Sequence, residues 1–280
     1  MSEEAVFRFG TVGSPNSTPK KPGGSVGALI QIKALGLSAL ELGWVQSVRV
    51  TKETCHLIQS KSSELDVVVS VHAPYYINLN ATEEEWPRSR QRLMDAAHYG
   101  NLAGATDIVF HPGSYFAAPP EAVLPLAIER LQECVAELRT AGNPVILRPE
   151  TMGKAAMLGS FEDTLAMSKA IPGVLPCLDF AHLHARTGNG SMNSYEEWDR
   201  LLEGYANSLE GDALHHLHIH LSGIEYSPKG ERNHLPLRES DLDLKSLFKA
   251  LHQYDCQGRI LCESPVMEED ALYMRQVWES

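Results

Sequence analysis

Short apolar runs of the kind that form buried β-strands recur along this chain, and each is followed by a stretch with helical spacing. The runs are VFRFGTVG (6–13), ALELGW (39–44), VVVSVHA (67–73), DIVFHPG (107–113), PVILRPE (144–150), LPCLDFAH (175–182), LHHLHIHLSG (214–223) and GRILCES (258–264). Between them lie SVGALIQIKALG, TKETCHLIQSKSSEL, RSRQRLMDAAHYGNLAGA, EAVLPLAIERLQECVAELRTAG and LDLKSLFKALHQY. Apolar residues there return at three- and four-residue intervals, as one buried helix face requires. Gly36, Gly104 and Gly142 stand just past helical stretches, where a left-handed C-cap is wanted. Eight strand candidates and eight helix candidates in alternation predict a parallel sheet with crossover helices. About 250 residues plus loops is the size of a closed (β/α)8 TIM barrel, an α/β fold. An open doubly wound sheet is the alternative, but the first strand lacks the Gly-rich phosphate loop that its nucleotide binders carry. No linker, low-complexity run or repeat interrupts the pattern, so residues 1–280 are expected to form a single TIM-barrel domain.

Composition narrows the partners. Apolar residues make up 43% and charged residues 21%, too apolar for disorder. The apolar runs, about 5–7 residues long, fall far short of the ~20 that a membrane helix needs. The acidic N-terminus MSEEAVFRFG does not resemble a secretory signal. The cysteines (Cys55, Cys134, Cys177, Cys256, Cys262) are odd in number and never in a CxxC pair. That argues against a disulfide framework and a thiolate zinc site, and for a reducing, cytoplasmic location. Twenty-four basic against 36 acidic residues gives a net charge of −12, so nucleic acid is not attracted globally. Bound cations and local basic loops can reverse the sign where it matters.

The 12 histidines decide the chemistry by their placement. In a barrel, active groups come from the C-terminal strand ends and the loops after them. His72 ends the third predicted strand, His111 the fourth and Glu150 the fifth. Asp179 and His182 close the sixth, His220 the seventh and Glu263 the eighth, while the loop GERNHLPL adds Glu231 and His234. A lone His or Glu at a strand end is more often a satisfied hydrogen-bonding residue than a ligand. Six consecutive strands delivering such groups to one rim would leave the anions repelling each other, and a divalent metal resolves this. Mixed nitrogen and oxygen ligands suit zinc, manganese or iron better than calcium or magnesium. One octahedral ion would use Glu150, Asp179, His220 and Glu263, leaving the other candidates surplus; two or three ions sharing a carboxylate fit the number. Clustered metals about 3.5–4 Å apart are apparatus for hydrolysing phosphoesters.

VHAPYYINL after the third strand, VFHPGS after the fourth, PE at the fifth, LDFAH after the sixth and CES at the eighth together resemble the endonuclease IV family. The likeness spans nearly the whole chain. LDFAHLHARTG, HLSGIEYSPKGERNHLPL and CESP depart from the common bacterial pattern, which resembles a divergent, archaeal-type branch. The resemblance implies a (β/α)8 metalloenzyme with three zinc ions that cuts DNA 5′ of abasic sites. It implies one metal on His72, His111 and Glu150, and a second on Glu150, Asp179, His220 and Glu263. A third would lie on His182 with Glu231 and His234, which are one residue further apart than the family's Asp-x-His. Glu150 is then the catalytic bridging and orienting group, and metal-activated water attacks the phosphorus in line, leaving a 3′-hydroxyl and a 5′ deoxyribose phosphate. His218 shares the inward parity of His220 and is its rival as ligand; His184 and His216 are expected to pack or support.

The implied partner is double-stranded DNA with abasic sites, met by a monomer and without a membrane. Tyr75 and Tyr76 occupy the place where family members wedge side chains into the duplex; simple packing over the barrel mouth is the competing role. Lys20, Lys21, Lys154, Arg186, Lys229, Arg232 and Arg238 fall in predicted rim loops where phosphates pass, or are simply solvated. Two alternatives stay open: a single-metal sugar or sugar-phosphate isomerase or epimerase of the xylose-isomerase-like barrels, and a metal-binding barrel that recognises damaged DNA without cutting it.

Overall fold

A computed structural model describes residues 7–116, 118–209 and 211–280. The reading of the extreme N-terminus falls on residues 1–6 and lies outside them. In chain order the elements are β1 (Arg8–Val12), α1 (Gly24–Ala34), β2 (Ala39–Gly43), α2 (Lys52–Leu65), β3 (Val68–His72), α3 (Trp86–Leu102) and β4 (Asp107–Phe110). Then come α4 (Pro120–Thr140), β5 (Ile146–Pro149), α5 (Phe161–Ala170), β6 (Cys177–Asp179), α6 (Phe180–Arg186) and α7 (Tyr195–Ser208). The chain ends with β7 (Leu217–Leu221), β8 (Gly223–Ser227), β9 (Gly230–Leu235), α8 (Leu244–Gln253), β10 (Gly258–Cys262) and α9 (Glu268–Trp278). Eight parallel strands form one sheet in the order β5-β4-β3-β2-β1-β10-β7-β6. Parallel bridges Leu147–Val174 and Glu150–Cys177 draw the two outer strands together and close the barrel. Gly36, Gly104 and Gly142 all take the left-handed conformation predicted of them, with φ of 72°, 78° and 70°.

Two local expectations need correction. LDFAH does not continue as strand to His182: Asp179 is the N-cap of α6, accepting a hydrogen bond from the His182 amide, and so turns the chain into a helix at Phe180. The stretch GERNHLPL is not an irregular loop either. It supplies β9, which pairs antiparallel with β8 as a hairpin beside the barrel. His216 lies in the turn before β7, its ring exposed and beside Asp212.

The strands divide their side chains by parity. Outward residues such as Leu40, Val69, Val71, Ile108, Leu147, Leu178, Ile219 and Ile260 are buried in the core shared with the helices. Helix α8 is a typical wall: Leu244, Leu247, Phe248 and Leu251 are buried at three- and four-residue spacing, and Asp243 caps the amides of Lys245 and Ser246, a cap worth about 1 kcal/mol. The lumen is different. Barrel interiors are usually filled by Val, Ile and Leu, whereas this one sets Val109 and Leu261 among layers of polar and charged groups. At its floor Asp107 accepts from Arg148 Nε at 2.6 Å and pairs with Arg259 Nη2 at 2.8 Å. The remaining Arg148 nitrogens donate to the carbonyls of Pro176 and His216, tying β5 to the bases of β6 and β7. Above this floor Glu41 meets Ser70, His218 and His220.

Asp107→Ala leaves two guanidinium groups facing an anion-free floor and is expected to cost about 3–5 kcal/mol. Urea unfolding of chelator-treated protein measures it; a loss under about 1 kcal/mol would contradict the role assigned to this network.

Candidate metal centre

The inward parity aims residues at the C-terminal ends of six strands at one point. His72 closes β3 and Asp179 closes β6; His111, Glu150 and Glu263 stand one residue past β4, β5 and β10, and His220 is the penultimate residue of β7. Glu150 is fully buried and is the hub. Its Oε2 lies 3.3 Å from both His72 Nε2 and His111 Nε2. Its Oε1 lies 3.2 Å from His182 Nδ1 and 3.6 Å from His220 Nδ1. His220 Nδ1 is also 3.5 Å from Glu263 Oε1. Three sets of donor atoms thereby crowd closely enough to hold cations: His72, His111, Glu150; then Glu150, Asp179, His220, Glu263; then Asp179, His182, His234. Neighbouring sets share Glu150 or Asp179.

Glu231 and His234 converge on His182 from β9, at 3.7 Å from Glu231 Oε2 and 3.3 Å from His234 Nε2. Residues three apart on a regular strand face opposite ways. Here Glu225 pairs with Asn233 and Tyr226 with Glu231, so Arg232 is an extra residue. This β-bulge flips the parity and returns Glu231 and His234 to one side. The unusual spacing of these two residues is thereby accommodated by the backbone. Gly153 makes room for the approach, since a Cβ there would sit 2.7 Å from Glu231 Cβ.

Three imidazoles of the cluster hydrogen-bond a backbone carbonyl through their second nitrogen. Nδ1 of His72 faces the Ala73 carbonyl at 3.0 Å, Nδ1 of His182 faces that of Thr151 at 2.9 Å, and Nδ1 of His234 faces that of Glu263 at 3.1 Å. A carbonyl only accepts, so these nitrogens carry the proton and the Nε2 lone pairs point into the cluster. His220 is reversed: Nε2 faces Glu41 at 3.0 Å and Nδ1 faces the cluster. Glu150 Oε1, Asp179 Oδ2 and His220 Nδ1 are buried without a hydrogen-bond partner. Unpartnered donor atoms of this kind, in a mixed nitrogen–oxygen set, fit divalent transition-metal ions.

In the bare polypeptide, protons take up the charge. Burial alone would lower His72, but Glu150, Glu41 and Glu263 push it up to about 9. Burial likewise opposes the charging of His182 and His220; Asp179 and Glu150 raise His182, and Cys177, Glu41 and Glu263 raise His220, both well above the ordinary value. Burial, with the anions Glu263 and Glu150, raises Asp179 to about 7 against the pull of His182 and His234. Glu150 outweighs its own burial through His111 and the other imidazoles and stays ionised far into acid.

The cluster opens into a cavity of about 520 Å³ whose wall includes Tyr75, Val45, Met152 and Gly13. Tyr75 packs against the rings of both His72 and His111, with centroids 5.4 and 5.1 Å away. Burial and the nearby carboxylates raise its phenol to about 12, so it stays protonated. Tyr76 is exposed on the same lip, with Arg92 over its ring and Phe116, also exposed, in the same groove. Lys154 and Lys229 are exposed, whereas Arg232 pairs with Glu225 at 2.9 Å. The Arg186 guanidinium is committed to the carbonyls of Met152, Lys154 and Met157. Lys20 and Lys21 are exposed, and Arg238 lies over the ring of Tyr273. A second cavity of about 730 Å³, lined by Phe161, Leu183, Arg200 and Lys229 among others, holds none of the donor sets.

His218 and His184 turn away from the open cluster. His218 donates to Glu41 one layer deeper and is pulled by burial to about 4, hence neutral. With Cys177 and His220 it forms a fourth set of donor atoms, sealed inside the barrel, where burial raises the Cys177 thiol and keeps its proton. His184 binds Asp241 and the Ser191 carbonyl. The residue that strand-end reasoning missed is Glu41, in mid-strand. Its signal is a single carboxylate inside ALELG, at the parity that faces the lumen.

Fold and site together define the class: residues 29–277 match the model of the xylose isomerase-like TIM barrel family, and the chain belongs to it. Over 99% of both chains it is 36% identical to an uncharacterized protein of Methanocaldococcus jannaschii. It is 31% identical over 171 residues to endonuclease 4 of Thermus thermophilus, covering 58% of this chain and 60% of that one. It is also 31% identical over 186 residues to a probable endonuclease 4 of a Geobacillus species, 63% of this chain and 57% of that one. These two matches span less than two thirds of the endonucleases' length. Among solved structures, endonuclease IV of Thermus thermophilus superposes with a TM-score of 0.71 at 22% identity over 97% of each chain. A D-tagatose 3-epimerase-like protein gives 0.72 at 17% identity, over 98% of this chain and 96% of that one. At those identities the structural likeness establishes the fold.

Two outcomes are expected. His72 binds its proton more tightly folded than unfolded, so its contribution is present below its unfolded value of 6.5 and is lost as pH rises through about 9. His182 and His220 act in the same sense, and Asp179, also raised, has completed its loss by about pH 7. Chelator-stripped protein should therefore melt at lower temperature as pH goes from 7 to 9, by up to about 1.4 kcal/mol per pH unit for each proton. Zinc-loaded protein should lack this decline, since ligands bind metal deprotonated; a flat profile for stripped protein would contradict the assignment. Deleting Arg232 leaves Glu-Asn-His, whose ends share a face on an unbulged strand, and should preserve zinc uptake at His182 where Glu231→Ala weakens it. Loss of that uptake in a folded deletion variant would show that the bulge does not set the parity.

Proposed function

We propose that this protein is a metal-dependent endonuclease that hydrolyses the DNA phosphodiester 5′ of abasic sites. The observation that carries the proposal is the row of three donor sets joined through Glu150 and Asp179. A barrel isomerase with one metal needs only the middle set; His72, His111, His182 and His234 would then have no task. Zinc suits the nitrogen-rich outer sets, with manganese or iron as substitutes. The endonuclease 4 relatives support DNA as substrate.

Bound divalent ions would supply Lewis acidity and a water of low pKa beside the scissile phosphate. The chain's own part is to fix the geometry. Glu150 presents one oxygen to His72 and His111 and the other to His182 and His220, and so orients both sides of the row. Glu263 faces His220, and Glu231 with His234 closes the far end at His182. Tyr75 walls the cavity, and the exposed rings of Tyr76 and Phe116 suit stacking on bases displaced at a lesion. With a net charge of −12, attraction to DNA must be local. Lys154, Lys229 and Arg232 are the exposed cations near the hairpin, while Arg186 acts by holding the 152–157 loop that backs Glu231. We take the acting unit to be a cytoplasmic monomer, since one chain supplies every ligand named and its cysteines are free and buried.

The test is incision of a duplex with one synthetic abasic site, by stripped protein and by protein reloaded with zinc. Cutting immediately 5′ of the lesion, only when loaded, is the expected result. His111→Ala should lose metal and activity together, beyond the roughly 10- to 100-fold that loss of a ligand's supporting partner costs. Loaded protein that leaves the duplex intact and converts a ketose or sugar phosphate would overturn the proposal in favour of an isomerase or epimerase.

A further inference from the structure

Glu41 is a fully buried carboxylate in the middle of β2, one layer below the metal-ligating set. An isolated buried carboxylate is costly, and this one is met from three sides. Ser70 Oγ donates to Oε2 at 2.7 Å and His218 Nε2 donates to the same oxygen at 2.9 Å. The other oxygen, Oε1, lies 3.0 Å from His220 Nε2, out of line for a hydrogen bond, and neither of these two buried atoms has another polar partner. The strand register builds this layer: Glu41 lies level with Ser70 on β3, and His218 and His220 share the inward parity of β7. His72, His182 and His234 rest on backbone carbonyls through Nδ1. His220 is the imidazole of the cluster whose outer nitrogen meets a carboxylate.

We propose that Glu41 is a positioning residue for the metal centre: it holds His220 as the Nε2–H tautomer, so that the Nδ1 lone pair is offered to the cation shared with Glu150, Asp179 and Glu263. This inference rests on the metal-binding reading above and extends it to a residue outside the donor sets. A carboxylate partner does two things that a carbonyl does not. It makes the imidazole a stronger donor to metal, and it places a full negative charge behind a cluster of cations. Ser70 and His218 are its struts. With both donating to Oε2, Oε1 is left directed at His220.

The experiment uses full-length protein, stripped and titrated with Co²⁺ and Zn²⁺ against a chelating dye, comparing wild type with Glu41→Gln and Glu41→Ala. Glu41→Ala should weaken the ion at His220 about 10- to 100-fold and shift the visible absorption bands of bound Co²⁺. Glu41→Gln, which keeps an oxygen for His220 but not the charge, should lie between it and wild type. Variants that match wild type in affinity and Co²⁺ spectrum, even with a lowered melting temperature, would reduce Glu41 to a structural residue and overturn the inference alone. Wild type that takes up no Co²⁺ would overturn it together with the metal reading. A measurement that needs no variant is the imidazole ¹⁵N spectrum of zinc-loaded wild type: a proton on Nε2 of His220 is expected, and a proton on Nδ1 would refute the proposal.

Discussion

Carboxylates and imidazoles at the C-terminal rim of this barrel are packed more tightly than their charges allow without cations or protons between them. Glu150, Asp179 and His220 are fully buried, and each has a donor or acceptor atom with no hydrogen-bond partner. Moving one such ion from water into a protein interior costs several kcal/mol even after relaxation. The fold offsets that cost by bringing opposite charges together: Glu150 lies among the imidazoles of His72, His111, His182 and His220. Protons satisfy the arrangement in the bare chain, and each donor set offers a divalent ion three or four donors at once. The geometry of the centre follows from this one requirement.

Beneath the centre, the same logic runs down the lumen. Asp107 is shared by Arg148 and Arg259, and Glu41 by Ser70, His218 and His220. A lumen of Val and Leu would hold the strands together but could not hold the imidazoles at fixed angles. The polar layers do both. Stability comes mainly from the outward faces, where strand residues and helices share a continuous apolar core. The hairpin β8–β9 is an addition on the rim, fastened by the Glu231 amide to the Gly153 carbonyl. It brings the last two donors to a place no barrel strand reaches.

Much of this was legible in the sequence because parallel strands are apolar runs and rim residues sit where those runs end. His72, His111, Glu150, Asp179, His220 and Glu263 follow from that rule, to within a residue of the strand ends. What was not legible depends on tertiary contact. The helix start at Phe180 is set by the Asp179 cap, and DFAH reads equally well as strand. The bulge at Arg232 is a matter of pairing with β8, and a spacing that looked one residue too long is the spacing a bulge requires. Arg186 looked like a rim cation and is instead a clamp on three carbonyls. Glu41 looked like an ordinary strand residue, because strand-end reasoning gives no weight to a carboxylate in mid-strand.

The fold is shared with epimerases and endonucleases alike, so architecture does not choose between them; the proposed function rests on the number of linked donor sets. The most direct measurement is anomalous diffraction at the zinc edge from crystals of the zinc-loaded protein. Three peaks are predicted: one beside His72 and His111, one among Glu150, Asp179, His220 and Glu263, and one at His182 with Glu231 and His234. A single peak in the middle set would contradict a three-ion centre, and with it the proposed endonuclease.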